Sequence, residues 1–577
     1  MPIPYALTAF IRGYRRLIVT PRPLLLMGLL LAACTTYAFA KNDLEAINRI
    51  RNEGLYHSQV MTTLQHLTDR IGPRLTGSPE MQQASAWTVE QLKAWGLSNV
   101  HLEGFEFGRG WSYDSAHAQL LHPRKAPLMG LPAAWTPGSN GVIEGDVVFV
   151  DAVTEAELEK YRGKIAGKIV LLSEPKDIGE PNSEIFTRYS SDDLGKMKSL
   201  DLQQPASHAH GTPDEIAQNR KRLAFREAVG AFLKQENAKA ALYRSSRDGG
   251  LIRVFGHDHR AGKSFPVPAM ILSSEHYQVL QRMIEKGETP RIALDIDARF
   301  HDEDSKSYNT IAEIPGTDKN PEIVMIGAHL DSWHASSGGV DNAAGVAATM
   351  EAMRILQKLD IKPKRTIRIG LWSGEEQGLY GSRAYVEQHL ATRPKPTDPA
   401  ERDLTPWYWN SPGWPISRKP DYDRFSVYFN MDNGSGKVRG IHTEGNVAVK
   451  SLFSEWFSPL SDLSEGTINA NATGGTDHES FDDVGLPGFQ FVQDPLDYMP
   501  RLHHTHVDSF DHVLPDDMRQ AAVAMATFAY EAAMAESRVP RKPMPTAPSE
   551  LEQQQEQEKA RKRQRAKERE ALSELPK

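Results

Sequence analysis

The chain has 577 residues, 40% of them hydrophobic and 25% charged, with a formal net charge of −8. That length supports more than one folding unit, and the acidic balance excludes the concentrated basic surface that nucleic-acid binding requires. The one cysteine, Cys34, lies near the start, so neither a disulfide framework nor a thiolate ligand or nucleophile is available to the folded part.

In chain order, Arg12, Arg15, Arg16 and Arg22 precede an apolar run at 24–33 and then small residues, the layout of an export signal. The run is too short to span a bilayer. Two processing routes fit it. Leu31-Ala32-Ala33-Cys34 resembles the lipobox of bacterial lipoproteins, which would make Cys34 a lipid anchor, and Ala38-Phe39-Ala40 suits ordinary cleavage after Ala40. From 44 to 96, apolar positions such as Val60, Leu64, Leu67 and Leu92 recur at three- and four-residue spacing and predict helices, interrupted by a breaker-rich loop at 72–79. From 116 to 292, short β-type runs such as 142–150 and 168–172 predict an inserted β-rich domain.

Beyond Asn309, apolar runs at 323–328, 366–372, 425–431 and 488–492 alternate with helical stretches, the clearest at 343–359. This predicts an α/β fold, a mostly parallel mixed sheet with helices on both faces. Residues 392–422, dense in Pro and Trp, predict a long loop over one sheet edge. After Arg538 the chain turns Pro-rich and then Gln/Glu/Lys/Arg-rich, a solvated or disordered tail. The organisation is therefore leader 1–40, first part of the catalytic domain 41–115, insert 116–292, catalytic domain 293–538 and tail 539–577.

Three of the predicted strands run into residues that bind metals. The first leads to His329-Leu330-Asp331, the second to Ser373-Gly374-Glu375-Glu376 and the third to Asp432. In an open α/β sheet the carboxyl ends of strands share one crevice, which gathers such residues from afar. Asp341 precedes the predicted helix at 343–359, and His504 follows the fourth strand. Two histidines and three carboxylates suit a co-catalytic ion pair about 3.5–4 Å apart, one carboxylate bridging both ions. A lone His-x-Asp or Glu-Glu is more often structural; the full set in one crevice is what carries the inference.

At these residues the sequence resembles the metallopeptidases of family M28. The matching stretches are Gly327–Trp333, Asp341-Asn342-Ala343-Ala344-Gly345, Trp372–Gly378, Asn430-Met431-Asp432 and His504-Thr505-His506-Val507-Asp508, in order across 309–533. The resemblance implies that Asp341 bridges two zinc ions, that His329 and Asp432 complete one site, and that Glu376 and His504 complete the other. It implies Glu375 as general base and Asp331 as the carboxylate that fixes the His329 tautomer. It also implies that the insert is a protease-associated domain and that the substrate is a short peptide cut near one end, with aminopeptidase or carboxypeptidase Q-like dipeptidase action both open. A one-metal glutaminyl cyclase and a ligand-binding module without catalysis are the alternatives. His503 and His506 are read as surface or supporting residues, His334 as either a substrate contact or a loop-surface residue, and Asp477-His478 as part of the cleft lining. Gly434-Ser435-Gly436-Lys437 lacks the first glycine and the hydroxyl of a phosphate loop, and no Gly-x-Ser-x-Gly elbow is present.

Overall fold

The computed structural model describes residues 43–174, 185–201, 213–402, 404–405, 408–409 and 413–547. The predicted leader with Cys34, and the charged end of the tail, lie outside the described residues. Among those described, no helix is long and apolar enough to cross a membrane.

The described residues open with helices Leu44–Tyr56 and Val60–Gln65, and helix Pro79–Ala94 follows the breaker-rich loop. Ser78 starts the last of these, its hydroxyl accepting from the Met81 N–H, while Pro79 occupies a first-turn position where no N–H is needed. Next come β1 (Ser98–Glu106) and β2 (Gly110–His122), then β3 (Ala126–Leu128), β4 (Gly130–Pro132), β5 (Ile143–Phe149), β6 (Ile169–Leu171), β7 (Ala240–Arg244), β8 (Ala269–Leu272) and β9 (Arg291–His301). All of these except β1 form the second of two eight-stranded sheets, in the order β3-β2-β9-β5-β6-β7-β8-β4. Its strands alternate between two cores. Ile169, Leu171 and Leu242 pack with Tyr277 and Leu280 of helix Ser274–Glu285, whereas Val170 and Ala241 pack with Val229, Phe232 and Leu233 of helix Pro213–Gln235.

The chain then returns through β10 (Lys306–Ile314), β11 (Ile323–His329) and β12 (Thr366–Trp372), a small pair β13 (Ala391–Thr392) and β14 (Ser417–Arg418), and β15 (Phe425–Asn430), β16 (Val438–His442), β17 (Thr467–Asn469) and β18 (Gly488–Gln493). With β1 these form the first eight-stranded sheet, in the order β1-β10-β12-β11-β15-β18-β16-β17. The four central strands β12, β11, β15 and β18 are mutually parallel, and antiparallel neighbours flank them, so the sheet is mixed. β11 is buried along its whole length, as expected of a central strand covered on both faces. Val324, Ile326 and Ala328 join the core of helices Ala344–Lys358 and Pro515–Met534; Ile323 and Met325 join Trp372, Phe425, Tyr428 and Phe481 on the other face.

The predicted strands and the helix at 343–359 match observed elements to within about a residue at either end. The second sheet runs from Gly110 to His301, wider than the 116–292 read from the pattern. The extra residues belong to the two long antiparallel partners β2 and β9, where Gly110-Trp111-Ser112-Tyr113-Asp114-Ser115 lacks the alternation that marks a strand.

Candidate metal centre

Register alone brings the first two ligand candidates together. Gly327 of β11 pairs with Asn430 of β15, so His329 and Asp432, each two residues further on, lie level at the carboxyl edge. His329 also pairs with Trp372 at the end of β12, which places Glu375 and Glu376 just beyond the same edge. Asp341 lies just before helix Ala344–Lys358. That helix must approach closely: a Cβ on Gly345 would strike the Met431 carbonyl oxygen, which also accepts from the Asn342 side chain at 3.0 Å. Any larger residue there would push the helix start away from the strand end.

The resulting cluster is tight. His329 Nε2 stands 3.4 Å from Asp341 Oδ1 and 3.3 Å from Asp432 Oδ1. His504 Nε2 stands 3.5 Å from Asp341 Oδ2 and 3.0 Å from Glu376 Oε2. Asp341 is thus common to both pairs. Ligand atoms of His329, Asp341 and Asp432 lie within 4.8 Å of one another, as do those of Asp341, His503 and His504. All five residues expected as ligands are therefore gathered in one place.

The electrostatics suit cations. Burial pushes Glu376 well above the usual carboxylate range and Asp341 adds to it; burial also raises Glu375, with Asp432, Asp477 and Glu376 as like-charged neighbours. Burial opposes ionisation of Asp341, yet the hydrogen bond to His329 and the neighbouring His504 hold its pKa low. Burial brings His504 down to about 4. Asp341 Oδ2 and Glu376 Oε1 are buried without a hydrogen bond. His329 adds a sharper point. Its Nδ1–H donates to the Asp331 carbonyl at 3.0 Å, which aims Nε2 at two carboxylate oxygens; burial opposes a charge on the ring, but the surrounding carboxylates, Asp432 foremost, raise its pKa well above that of a free imidazole. A positive charge is therefore favoured at Nε2, and the donor set of imidazole and carboxylate suits zinc.

Several neighbours differ from the sequence reading. It is the backbone carbonyl of Asp331, not its carboxylate, that holds the His329 ring; the nearest carboxylate oxygen is 3.7 Å away, beyond hydrogen-bond range. The carboxylate instead accepts from Thr76 Oγ1 at 3.0 Å and from the backbone N–H groups of Glu375 and Glu376, both at 3.3 Å. Asp331 thereby fixes the Glu375-Glu376 turn. His334 is not at the surface: it is 3% exposed and donates from Nε2 to the Pro132 carbonyl. Asp477 and His478 are fully buried rather than lining a cleft. The His503 ring lies tilted against His504 with centroids 3.7 Å apart, nearer the centre than a surface role allows. His506 Nδ1 accepts from the Ile252 N–H at 3.1 Å.

Two residues given no role by the sequence complete the frame. The Asp508 carboxylate accepts from the N–H groups of Val340 and Asp341, at 2.7 and 3.0 Å, and so sets the backbone that carries the shared aspartate. Arg74 is 0% exposed and donates to the carbonyls of Leu330, Gly72, Ser337 and Gly338, binding the loop between His329 and Asp341. Asp508 lay within a motif already singled out; Arg74, more than 250 residues upstream of the loop it holds, had no signal. The second sheet's segment also reaches the centre. Val254 N–H donates to the His504 carbonyl at 3.0 Å and His506 N–H to Ile252 at 3.2 Å, pinning a histidine whose backbone is left-handed at φ 61°. Arg253 Nη2 lies 3.3 Å from Nδ1 of both His503 and His504.

Beside the cluster opens a cleft of about 890 Å³, with Trp333, Glu376 and Gln377 on one side and Arg226, Phe255 and His257 on the other.

Comparison with known proteins points to one family of peptidases. The model of peptidase family M28 matches residues 309–529. Carboxypeptidase Q of Rattus norvegicus is 26% identical over 500 residues, 86% of this chain and 90% of that protein. The structure of a peptidase M28 precursor from Shewanella amazonensis has a TM-score of 0.61 at 23% identity, covering 87% of this chain and 99% of that one. A zinc aminopeptidase from Bacillus subtilis has a TM-score of 0.52 at 18% identity, covering 83% and 95%. The two structural likenesses are likenesses of fold.

Proposed function

Residues 309–529 belong to peptidase family M28, and from that premise we propose that the chain is a zinc-dependent metallo-exopeptidase that hydrolyses terminal peptide bonds of short peptides. The observation that carries the reading is the cluster around Asp341, whose two carboxylate oxygens face different histidines, 3.4 Å from His329 and 3.5 Å from His504. His329, Asp341 and Asp432 would hold one ion, and Asp341, Glu376 and His504 a second. Bound there, zinc polarises the scissile carbonyl and makes water a stronger acid.

The chain's own residues do the rest. Glu375 belongs to neither donor set and adjoins one ligand, so its carboxylate is free to take a proton from the attacking water and deliver it to the leaving amine. Asp331 holds the two adjoining N–H groups and keeps Glu375 and Glu376 aimed at opposite tasks. The buried frame of Arg74 and Asp508 keeps the donors in place as charge changes during turnover.

Carboxypeptidase Q and the zinc aminopeptidase support the exopeptidase class over the one-metal cyclase. The same reading takes residues 1–40 as an export or lipoprotein leader and the second sheet as a protease-associated insert. The test is a panel of di- and tripeptides blocked at one end or the other, given to zinc-loaded protein, with product masses recorded. Release of single terminal residues or cleavage of dipeptides is expected, lost when the recognised end is blocked; intact peptides throughout, or cleavage indifferent to a block at either end, would overturn the reading.

A further inference from the structure

We propose that Arg226, on the helix Pro213–Gln235 contributed by the second sheet's segment, is the specificity residue of the cleft and reads a substrate carboxylate, in the first place the free carboxyl terminus of a short peptide. The inference rests on the exopeptidase reading and adds the end of the substrate that is recognised. One face of this helix lines the cleft at three- and four-residue steps: Leu223, Arg226, Gly230 and Lys234. Glu376 lines the same cleft, so this helix face and the metal centre open onto one space.

The cleft wall is rich in cations, and most of them are already engaged. Arg109 grips both carboxylate oxygens of Asp302, at 2.6 and 2.7 Å. Arg260 does the same to Asp258, with contacts of 2.9 and 2.5 Å, and Lys263 stands 3.6 Å from Glu227. Arg226 and Lys234 differ, each without a carboxylate in ion-pair reach among the described residues, and of the two only Arg226 carries a planar fork. The Arg226 guanidinium lies over the Phe255 ring, 5.3 Å from the centroid. An arginine resting on an aromatic face keeps its N–H edge free, and that planar fork matches the two oxygens of a carboxylate. The imidazole of His257, also in the wall, is brought down to about 3 by burial and stays neutral, so it neither repels the guanidinium nor competes for the anion.

The test separates this role from the peptidase reading. Zinc-loaded Glu375→Gln protein, with and without Arg226→Gln, is titrated calorimetrically with alanyl-phenylalanine and with its carboxy-terminal amide. Amidation and Arg226→Gln are each expected to weaken binding about ten-fold, and the two losses should not add, because both remove the same contact. Arg226→Lys should recover part of the loss, since it restores the charge without the fork. Equal binding of acid and amide, or fully additive losses, would overturn the proposal. An amidated dipeptide carrying a glutamate side chain forms the second arm: a loss confined to it assigns Arg226 to side-chain carboxylates and overturns the terminal-carboxylate form. Turnover by the Arg226 variants with wild-type Glu375 is scored apart, so failure to cleave any peptide counts against the peptidase reading alone.

Discussion

His334 shows how far environment can move one side chain from its sequence reading. It lies between two of the proposed ligands in a stretch of Ser and Gly, which reads as an exposed loop, yet its ring meets Trp111 and Tyr113 edge-on at 5.2 and 5.8 Å. Burial drives its pKa to about 4, and likewise that of His259; both are neutral when folded. In the unfolded chain a histidine titrates near 6.5. The folded value is depressed, so the stability linked to the neutral ring is present above pH 6.5 and is lost as pH falls through about 4. His334→Gln cannot take up that proton. Its stability should therefore fall less steeply between pH 6.5 and 4 than that of the parent, by up to about 1.4 kcal/mol per pH unit, in denaturant titrations at stepped pH. Parallel profiles would show that His334 is not held neutral. The ligand candidates were legible because His329, Glu376 and Asp432 are chemically distinctive residues at or just past strand ends, while Asp341 and His504, in loops further on, stood out by the motifs around them. Arg74 and Asp508 act mainly through backbone carbonyls and N–H groups, and such roles leave no mark in residue type.

At the scale of elements, the loop 72–78 matters more than its breaker-rich sequence suggests. Besides the bonds of the Arg74 side chain, the Arg74 N–H donates to Ser332 Oγ at 3.0 Å and its carbonyl accepts from the Ser332 N–H at 3.1 Å. One N-terminal loop thus welds the connection from His329 to Asp341. Arg74→Met would leave several buried carbonyls unsatisfied and Asp508 without its nearby cation. A loss of about 3–5 kcal/mol is expected, the range for breaking a buried charged contact, together with weaker zinc binding. Thermal melts and zinc titration of the variant measure both; an unchanged melting temperature and affinity would contradict this role. Central strands such as β11 and β12 were legible because a strand buried on both faces must be continuously apolar. The start of β2 was not, because only Trp111 and Tyr113 mark its inward face before Asp114 and Ser115 break the pattern, while its pairing with β9 is made by backbone groups.

For the whole molecule, the parallel centre of one sheet supplies the proposed ligands, while the other sheet's segment pins the His504 loop and walls the cleft. The alternation of strand and helix after Asn309 made the first half of that division legible. The second half was hidden, because contacts between segments 250 residues apart, such as Val254 with His504, depend on how the two sheets pack and not on any local pattern. The central claim is that the side chains gathered around Asp341 hold a pair of ions. It is tested most directly by elemental analysis of protein saturated with zinc and then dialysed against metal-free buffer: two zinc ions per chain are expected, and a content of one or none in folded, active protein would contradict the account.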